Sequence, residues 1–537
     1  MAPDLKYLSI SRSFIAHSGL ESCQNSSEKL VLFLRQSCHD QLRFIQEEVI
    51  QNAKIGVISG TPGTGKSLIS YCYAASISRQ RDWKVIWVHL SSVMSRNVPN
   101  MDLNIFSEGI KFTKTVPEEF MLKFLREMMP KPDQKIILVL DGYTDASAQI
   151  GKAVVHWFRA DKENRRVLTV SSMGSDVRSK PHQDRANNIE RFKQVSWTWE
   201  EYVEAISSEE FYNSIADMLD APCIVDSPLG KLRAKFFYAG SCARFMFSFK
   251  TRQVVAEIGK SLAETDAKAL FSSAGTPQAI NRLFGCSSSY ELRPVSDYVH
   301  VCLSERSAPE EVYKLLSGTS SSANPALRGI LFEILFFSIA SHRDEISFAD
   351  KEGTKVVWKT NRGVKSFNPL KPNKVICKVN RWLRPSDSRN PGFDGLWLYT
   401  KYENAHAHKS TDHSGNMTFP GSHDSLTTYV MAGAEQIGVA RFVQITHSAR
   451  HALKLQNFFD CAHALNESGV FTVNEVEVFF IVPFELLSDF RIDRVECPKA
   501  LVPFNWPQGE QDVRAKVTVL GLIHDYSINI ECHIETQ

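Results

Sequence analysis

"VISGTPGTGKSLIS", residues 57–70, opens on an apolar run, turns through three glycines and closes on Gly65, Lys66 and Ser67. Gly60, Thr61, Pro62, Gly63, Thr64, Gly65, Lys66 and Ser67 satisfy the spacing GxxxxGKS, and the flanking residues predict a strand before it ("IGVIS") and a helix after it. In that setting the glycines let backbone N–H groups curl round a phosphate at the positive end of a helix. Lys66 would reach the β- and γ-phosphates of a nucleoside triphosphate, and Ser67 would ligate Mg²⁺. The stretch does not choose between ATP and GTP.

Working outward, apolar residues recur at helical spacing at Leu42, Ile45 and Val49, and the loop is followed by a helix from Ser67. Then come the strand "VIWVHL", the helix "EEFMLKFLREMM", the strand "KIILVL", a helix around Ala153 to Phe158 and the strand "RVLTVSS". Strands alternating with helices of this length predict an α/β fold, a doubly wound parallel sheet of the P-loop NTPase kind. "KIILVLDGYTD" ends its strand in Asp141, where a second Mg²⁺ ligand is needed. Gly142 stands where many ATPases carry a water-orienting glutamate, and Asp145 is the nearest acidic substitute. Ser171 and Ser172 end the next strand, at the place of a polar γ-phosphate sensor.

A chain of 537 residues is too long for one core and suggests two to four domains. Hydrophobic residues at 43% and charged ones at 23% fit an ordinary globular protein, and a formal charge of +2 leaves any nucleic-acid contact to a local basic surface. Eleven cysteines occur without a CxxC pair, which reads as reduced thiols. No apolar run approaches the roughly 18 residues of a membrane span, so no membrane partner is expected. "MAPDLKYLSISRSF" has no apolar region of the secretory kind. Beyond about residue 200 the pattern turns mostly helical, and "SGTSSSANP" (317–325) marks a boundary before the apolar helix "LRGILFEILFFSIA". The expected division is an N-terminal extension (1–40), a P-loop NTPase domain (41–205), a helical segment (206–320) and a second α/β domain (321–537).

"VSWTWEEYVEA" (195–205) and "KFFYAGSCARFMF" (235–247) resemble signatures of the NTPase and nuclease family shared by the Crinkler effectors of oomycetes and fungi and the retrotransposon hot spot proteins of trypanosomes. In that family a P-loop domain is followed by a W-T-x-E-E-Y element and an A-G-G-S-A-R-like turn, here Ala239, Gly240, Ser241, Cys242, Ala243 and Arg244. The resemblance covers roughly residue 40 to the end. The ubiquitin-like header with its L-F-L-A-K motif, found in secreted Crinklers, is absent. Physically, a guanidinium on a glycine-containing turn can approach a γ-phosphate bidentately, as Arg244 would; capping the preceding helix is its other reading.

The C-terminal half carries Glu333 in its apolar helix, Asp394 in "NPGFDGLWLY", and Gln444 and Thr446 two apart in "RFVQITHS", hence on one face of a strand. This resembles the restriction-endonuclease-like core, PD-(D/E)xK, with a glutamate from the first helix. Carboxylates in such a site position Mg²⁺, which activates water and neutralises the charge developing on a phosphodiester. Asp394 would be the central ligand, Glu333 an outer or water-mediated one, and Gln444 a weaker replacement for the usual acid. Thr446 stands where the lysine would be; Lys454 or His451, expected on the following helix, could supply the charge. The Crinkler-like family itself carries this Q-x-T variant.

Lys365, Lys371, Lys374, Lys378, Arg381 and Arg384, with Trp382 among them, form a basic stripe that reads either as a phosphate-tracking, base-stacking surface or as a solvated face. His406, His408 and His413 in "ENAHAHKSTDH" read as a polar loop rather than a zinc site. The expectation is an NTP-dependent, Mg²⁺-requiring DNA nuclease in the nucleus, the host's for an effector, with the cytoplasm as second choice. The alternative is a nucleotide-switched module that binds DNA or a host protein without cutting; oligomeric state stays open.

Overall fold

Near-continuous apolar runs such as "KIILVL" and "RRVLTVS" are buried along their whole length, as strands covered on both faces must be. The computed structural model describes residues 5–20, 29–95, 98–127, 134–144, 147–172, 181–221, 226–264, 282–287, 292–318, 325–373, 376–386, 392–400 and 437–523. The chain divides into two compact units, Met1–His300 and Val301–Gln537.

Unit one begins with an antiparallel pair, β1 (Tyr7–Ser11) and β2 (Lys29–Phe33). Its main sheet holds β3 (Ile55–Gly60), β4 (Trp83–Ser95), β5 (Val98–Ser107), β6 (Ile110–Pro117), β7 (Lys135–Tyr143), β8 (Arg165–Ser171) and β9 (Ile189–Gln194), in the order β6-β5-β4-β7-β8-β3-β9. The β4, β7, β8, β3 and β9 neighbours are parallel. The loop strand β3 and the Asp141 strand β7 flank β8. The C-terminal ends of these strands gather Gly60, His89, Asp141, Ser171 and Gln194 along one edge, where open parallel sheets place ligands.

The β5–β6 hairpin was not foreseen from the sequence. Its turn, Glu108 and Gly109, takes two consecutive positive φ angles, +52° and +78°, the conformation for which Asn-Gly is the usual signal. Residues before 41, expected as an extension, are built into this unit: the Trp87 indole donates to the Ser18 carbonyl at 3.1 Å, and Asn104 donates to His17 at 2.7 Å. A short antiparallel pair, β10 (Phe284–Cys286) and β11 (Leu292–Pro294), closes the otherwise helical stretch after residue 199.

Unit two holds an eight-stranded mixed sheet ordered β13-β12-β21-β19-β17-β16-β15-β14. Its strands are β12 (Glu345–Ala349), β13 (Lys355–Lys359), β14 (Val364–Phe367), β15 (Trp382–Pro385), β16 (Gly395–Tyr399), β17 (Ile437–Ile445), β19 (Thr472–Pro483) and β21 (Thr518–Leu522). β15, β16 and β17 run antiparallel in turn, and β17 pairs parallel with β19 across the Leu455–Glu467 helix. β18 (Arg450–Lys454) and β20 (Arg491–Glu496) form a separate parallel pair. His451 and Lys454 therefore lie on a strand, not on a helix as expected; the helix begins only at Leu455. The Pro325–His342 helix carries Glu333, and its apolar residues from Leu331 to Ala340 are almost all buried.

Candidate functional sites

In unit one the glycine loop needs its glycines. Gly60, Gly63 and Gly65 have φ of +150°, +79° and +96°, and Gly65 caps the start of the Lys66–Ile77 helix. A Cβ on Gly63 would stand 2.6 Å from the backbone nitrogen of Arg244. The turn carrying Arg244 thus packs directly on the loop, and Cys242 Sγ donates to the Pro62 carbonyl at 3.3 Å. Arg244 itself is exposed at the start of the Ala243–Phe247 helix, distant in sequence from the loop it faces.

Lys66 is buried, with Nζ donating to the carbonyls of Gly60 and Thr61, each at 2.8 Å. Burial and then the nearby Arg244 charge lower its pKa to about 7, against the pull of Asp141. Asp141 is also buried, and its Oδ2 lies 2.8 Å from Nδ1 of His89, which pairs with it across the β4–β7 ladder. His89 went unnoticed in the sequence because a histidine at a strand end carries no signal until its partner strand is known. Gly142 has φ +78°, and a Cβ there would meet the Leu90 carbonyl at 2.9 Å. The glutamate missing at this position is thus excluded by a bulge in the β7 backbone. Ser171 is buried at the end of β8; Asp145 lies outside the described residues.

The loop and Arg244 line a cavity of about 230 Å³. Gly63 to Ser67, Arg244, Arg12 and Lys29 supply its polar wall; Leu30, Leu32, Phe33, Trp197, Phe211 and Phe247 belong to an apolar one. A polyphosphate suits the first and a nucleobase the second. Leu30, Leu32 and Phe33 of that wall come from β2, in the segment read from sequence as an extension.

In unit two Asp394 and Glu333 are brought together, and Gln444 and Thr446 lie on and just beyond the strand that pairs with β16. Asp394 immediately precedes β16; its amide donates to the Val443 carbonyl at 2.8 Å, and its Oδ2 accepts from the Ile445 amide at 2.6 Å. Gln444 and Thr446 are also buried, Gln444 on β17 and Thr446 just beyond its end with its amide donating to the Ile481 carbonyl. The Gln444 Oε1 atom is buried without a hydrogen-bond partner among the described residues. Burial, then the adjoining Glu333 carboxylate, push Asp394 up to about 7, while the Ile445 amide and Arg384 pull the other way.

Arg384 corrects the reading of the basic stripe. It is buried on β15, donates to Glu333 Oε1 at 2.5 Å and sits 4.7 Å over the Phe337 ring. Trp382 is buried at 1% exposure and cannot stack on a base. Lys365, Lys371 and Lys378 are exposed, and Lys374 lies outside the described residues. His406, His408 and His413 lie outside them too. Among the described residues no group of three or more His, Cys, Asp or Glu side chains is placed to hold a metal. No described helix is long and apolar enough to cross a membrane.

No family profile matches the chain, and no curated protein matches it. Among solved structures it is similar to the Hsp104–ADP complex of S. cerevisiae, at 13% identity and TM-score 0.26, over 48% of this chain and 34% of that one. It is also similar to a RuvB variant of Thermotoga maritima, at 11% and 0.26, over 60% and 91% of the two chains, and to Cdc6p of Pyrobaculum aerophilum, at 11% and 0.22, over 57% and 98%. The match spans about a third of the Hsp104 chain. Likenesses this loose carry no argument of their own. The P-loop fold of unit one rests on its parallel strand order and on the loop seated between β3 and its helix.

Proposed function

We propose that the protein is an ATP-dependent, Mg²⁺-requiring DNA nuclease, in which nucleotide bound by unit one gates phosphodiester cleavage by unit two. The observation that carries the first half is the convergence of Lys66, Arg244 and the loop glycines on one cavity. Lys66 and the loop amides would hold the β- and γ-phosphates, and Arg244 would sense the γ-phosphate. The hydroxyl of Ser67 and the carboxylate of Asp141 are the hard oxygen donors that Mg²⁺ takes beside a polyphosphate.

For the second half, the supporting observations are the Asp394 carboxyl raised by burial and by Glu333, and the buried Gln444 Oε1, an acceptor without a donor among the described residues, on the strand that pairs with β16. That donor set fits Mg²⁺, which when bound would polarise the scissile phosphate and acidify a water. Asp394 and Gln444 would hold the cation from adjacent strands, Glu333 would stand behind them, and Arg384 would supply the positive charge that Thr446 lacks. The order of helix, antiparallel strands, helix and parallel strand agrees with a restriction-endonuclease-like core. The Crinkler-like motifs at 195–205 and 239–244 agree with pairing it to a P-loop unit. Nuclear action on DNA follows from this reading.

The experiment is plasmid and linear DNA incubated with the full chain, with and without Mg²⁺ and ATP, beside Asp394→Ala. Loss of cutting in the variant with DNA binding retained is expected. One observation favours a second reading, a nucleotide-switched binder: Gln444 and Thr446 replace the acid and the lysine. A wild type that retains DNA but cuts nothing with any divalent metal would establish it.

A further inference from the structure

Arg35, between β2 and the Gln36–Phe44 helix, is one of the largest fully buried side chains in the protein. Its NH2 donates to the carbonyls of Thr64 and Val195, at 3.1 and 3.0 Å. Its NH1 donates to the Ser196 carbonyl at 3.2 Å and to Glu201 Oε2 at 2.9 Å, and the guanidinium lies 4.9 Å from the centre of the Trp197 ring. One cation therefore ties the glycine loop to the "VSWTWEEY" segment. The same Glu201 oxygen accepts from the Thr198 amide at 2.9 Å, closing the capping box of the Trp199–Ala205 helix.

We infer that Arg35 is a positioning residue for phosphate binding, clamping the Thr64–Gly65 peptide through Glu201 and Trp197. The inference rests on the reading of this loop as a nucleotide site. In a trans peptide the C=O and the following N–H point opposite ways, so drawing the Thr64 carbonyl onto Arg35 turns the Gly65 N–H away from it. Gly65 lines the cavity and Arg35 does not. The clamp also reaches Arg244: Trp197 stacks on Tyr202 at 4.9 Å, and both rings meet Phe247, on the helix that begins beside Arg244. The fork geometry matters, because only a planar guanidinium can serve three backbone carbonyls and a carboxylate at once. This gives the W-T-x-E-E-Y element a physical task, holding the loop in its binding shape.

The test compares the full-length wild type with Arg35→Lys and Glu201→Gln, measuring ADP affinity by calorimetry at a temperature where melting curves show each fully folded. Arg35→Lys keeps the charge but not the fork, and ADP binding is expected to weaken on the order of tenfold. Glu201→Gln keeps the capping box and the packing while removing the carboxylate; it is expected to weaken ADP several-fold and to lower the melting temperature, because the buried guanidinium loses its countercharge. Folded variants that bind ADP as tightly as wild type would make Arg35 a purely structural group and overturn the inference. Should Arg35→Lys not fold, Glu201→Gln decides alone. A wild type that binds no ADP sinks the nucleotide reading instead, which these variants cannot do.

Discussion

On the proposed reading, Lys66 would make nucleotide binding a proton-uptake reaction. Buried among carbonyls and close to Arg244, its ammonium has a pKa of about 7, whereas in the unfolded chain it titrates near 10.5. The free folded protein thus binds fewer protons than the unfolded chain between these values, so its stability rises with pH across that window. A bound triphosphate reverses the local balance, because anionic oxygens favour the charged lysine. Above pH 7 the free protein increasingly lacks this proton, so nucleotide binding should take up a share of a proton that grows with pH. Affinity for ATP should fall by more than tenfold from pH 7 to pH 9, on the order of 2 kcal/mol. Calorimetry in Hepes and in Tris, whose ionisation heats differ, reads the proton directly as a buffer-dependent enthalpy. In Lys66→Ala binding should be much weaker and the pH slope should vanish. A wild-type affinity that is flat across this range, with no buffer dependence, would refute the placement of Lys66 against the phosphates.

Asp394 is shifted into the same range from the other side for the same reason, a carboxyl raised by burial and then by the like charge of Glu333. On the proposed reading the ionised form would be the metal ligand, so cleavage at limiting Mg²⁺ should climb between about pH 6 and pH 8 and level off above; a profile flat through pH 7 would place the ligand elsewhere. Arg244→Ala should leave ADP binding largely in place while slowing ATP turnover and releasing DNA cleavage from its ATP dependence; normal turnover would make Arg244 structural. Gly142→Glu, which restores the missing acid in sequence, should not raise hydrolysis. The added side chain must adopt φ +78° against the Leu90 carbonyl and is expected to cost about 1–3 kcal/mol in a denaturation curve. Phosphate release faster than wild type would contradict this.

The glycine loop, the strands and helices of unit one from Ile55 to Ser171 apart from the β5–β6 hairpin, and the helix around Glu333 were legible in the sequence because each depends on local spacing: glycines at fixed intervals, apolar runs, helical periodicity. Asp141 was legible for the same reason, standing at the end of an apolar run. What the sequence could not state is which distant groups meet. Arg384 looked like one more member of a basic stripe, and only the pairing of β15 with β16 brings it into the carboxylate cluster. Trp382 looked like a stacking surface, and only the packing of rings around it makes it core. His89 acquires a role from the β4–β7 register, and Arg35 from a loop 29 residues away and a helix 166 residues away. Long-range pairing of this kind depends on tertiary packing and leaves no local period to read. The sequence determined that a phosphate loop exists and where; the fold decided which arginines, which histidine and which strand edge surround it.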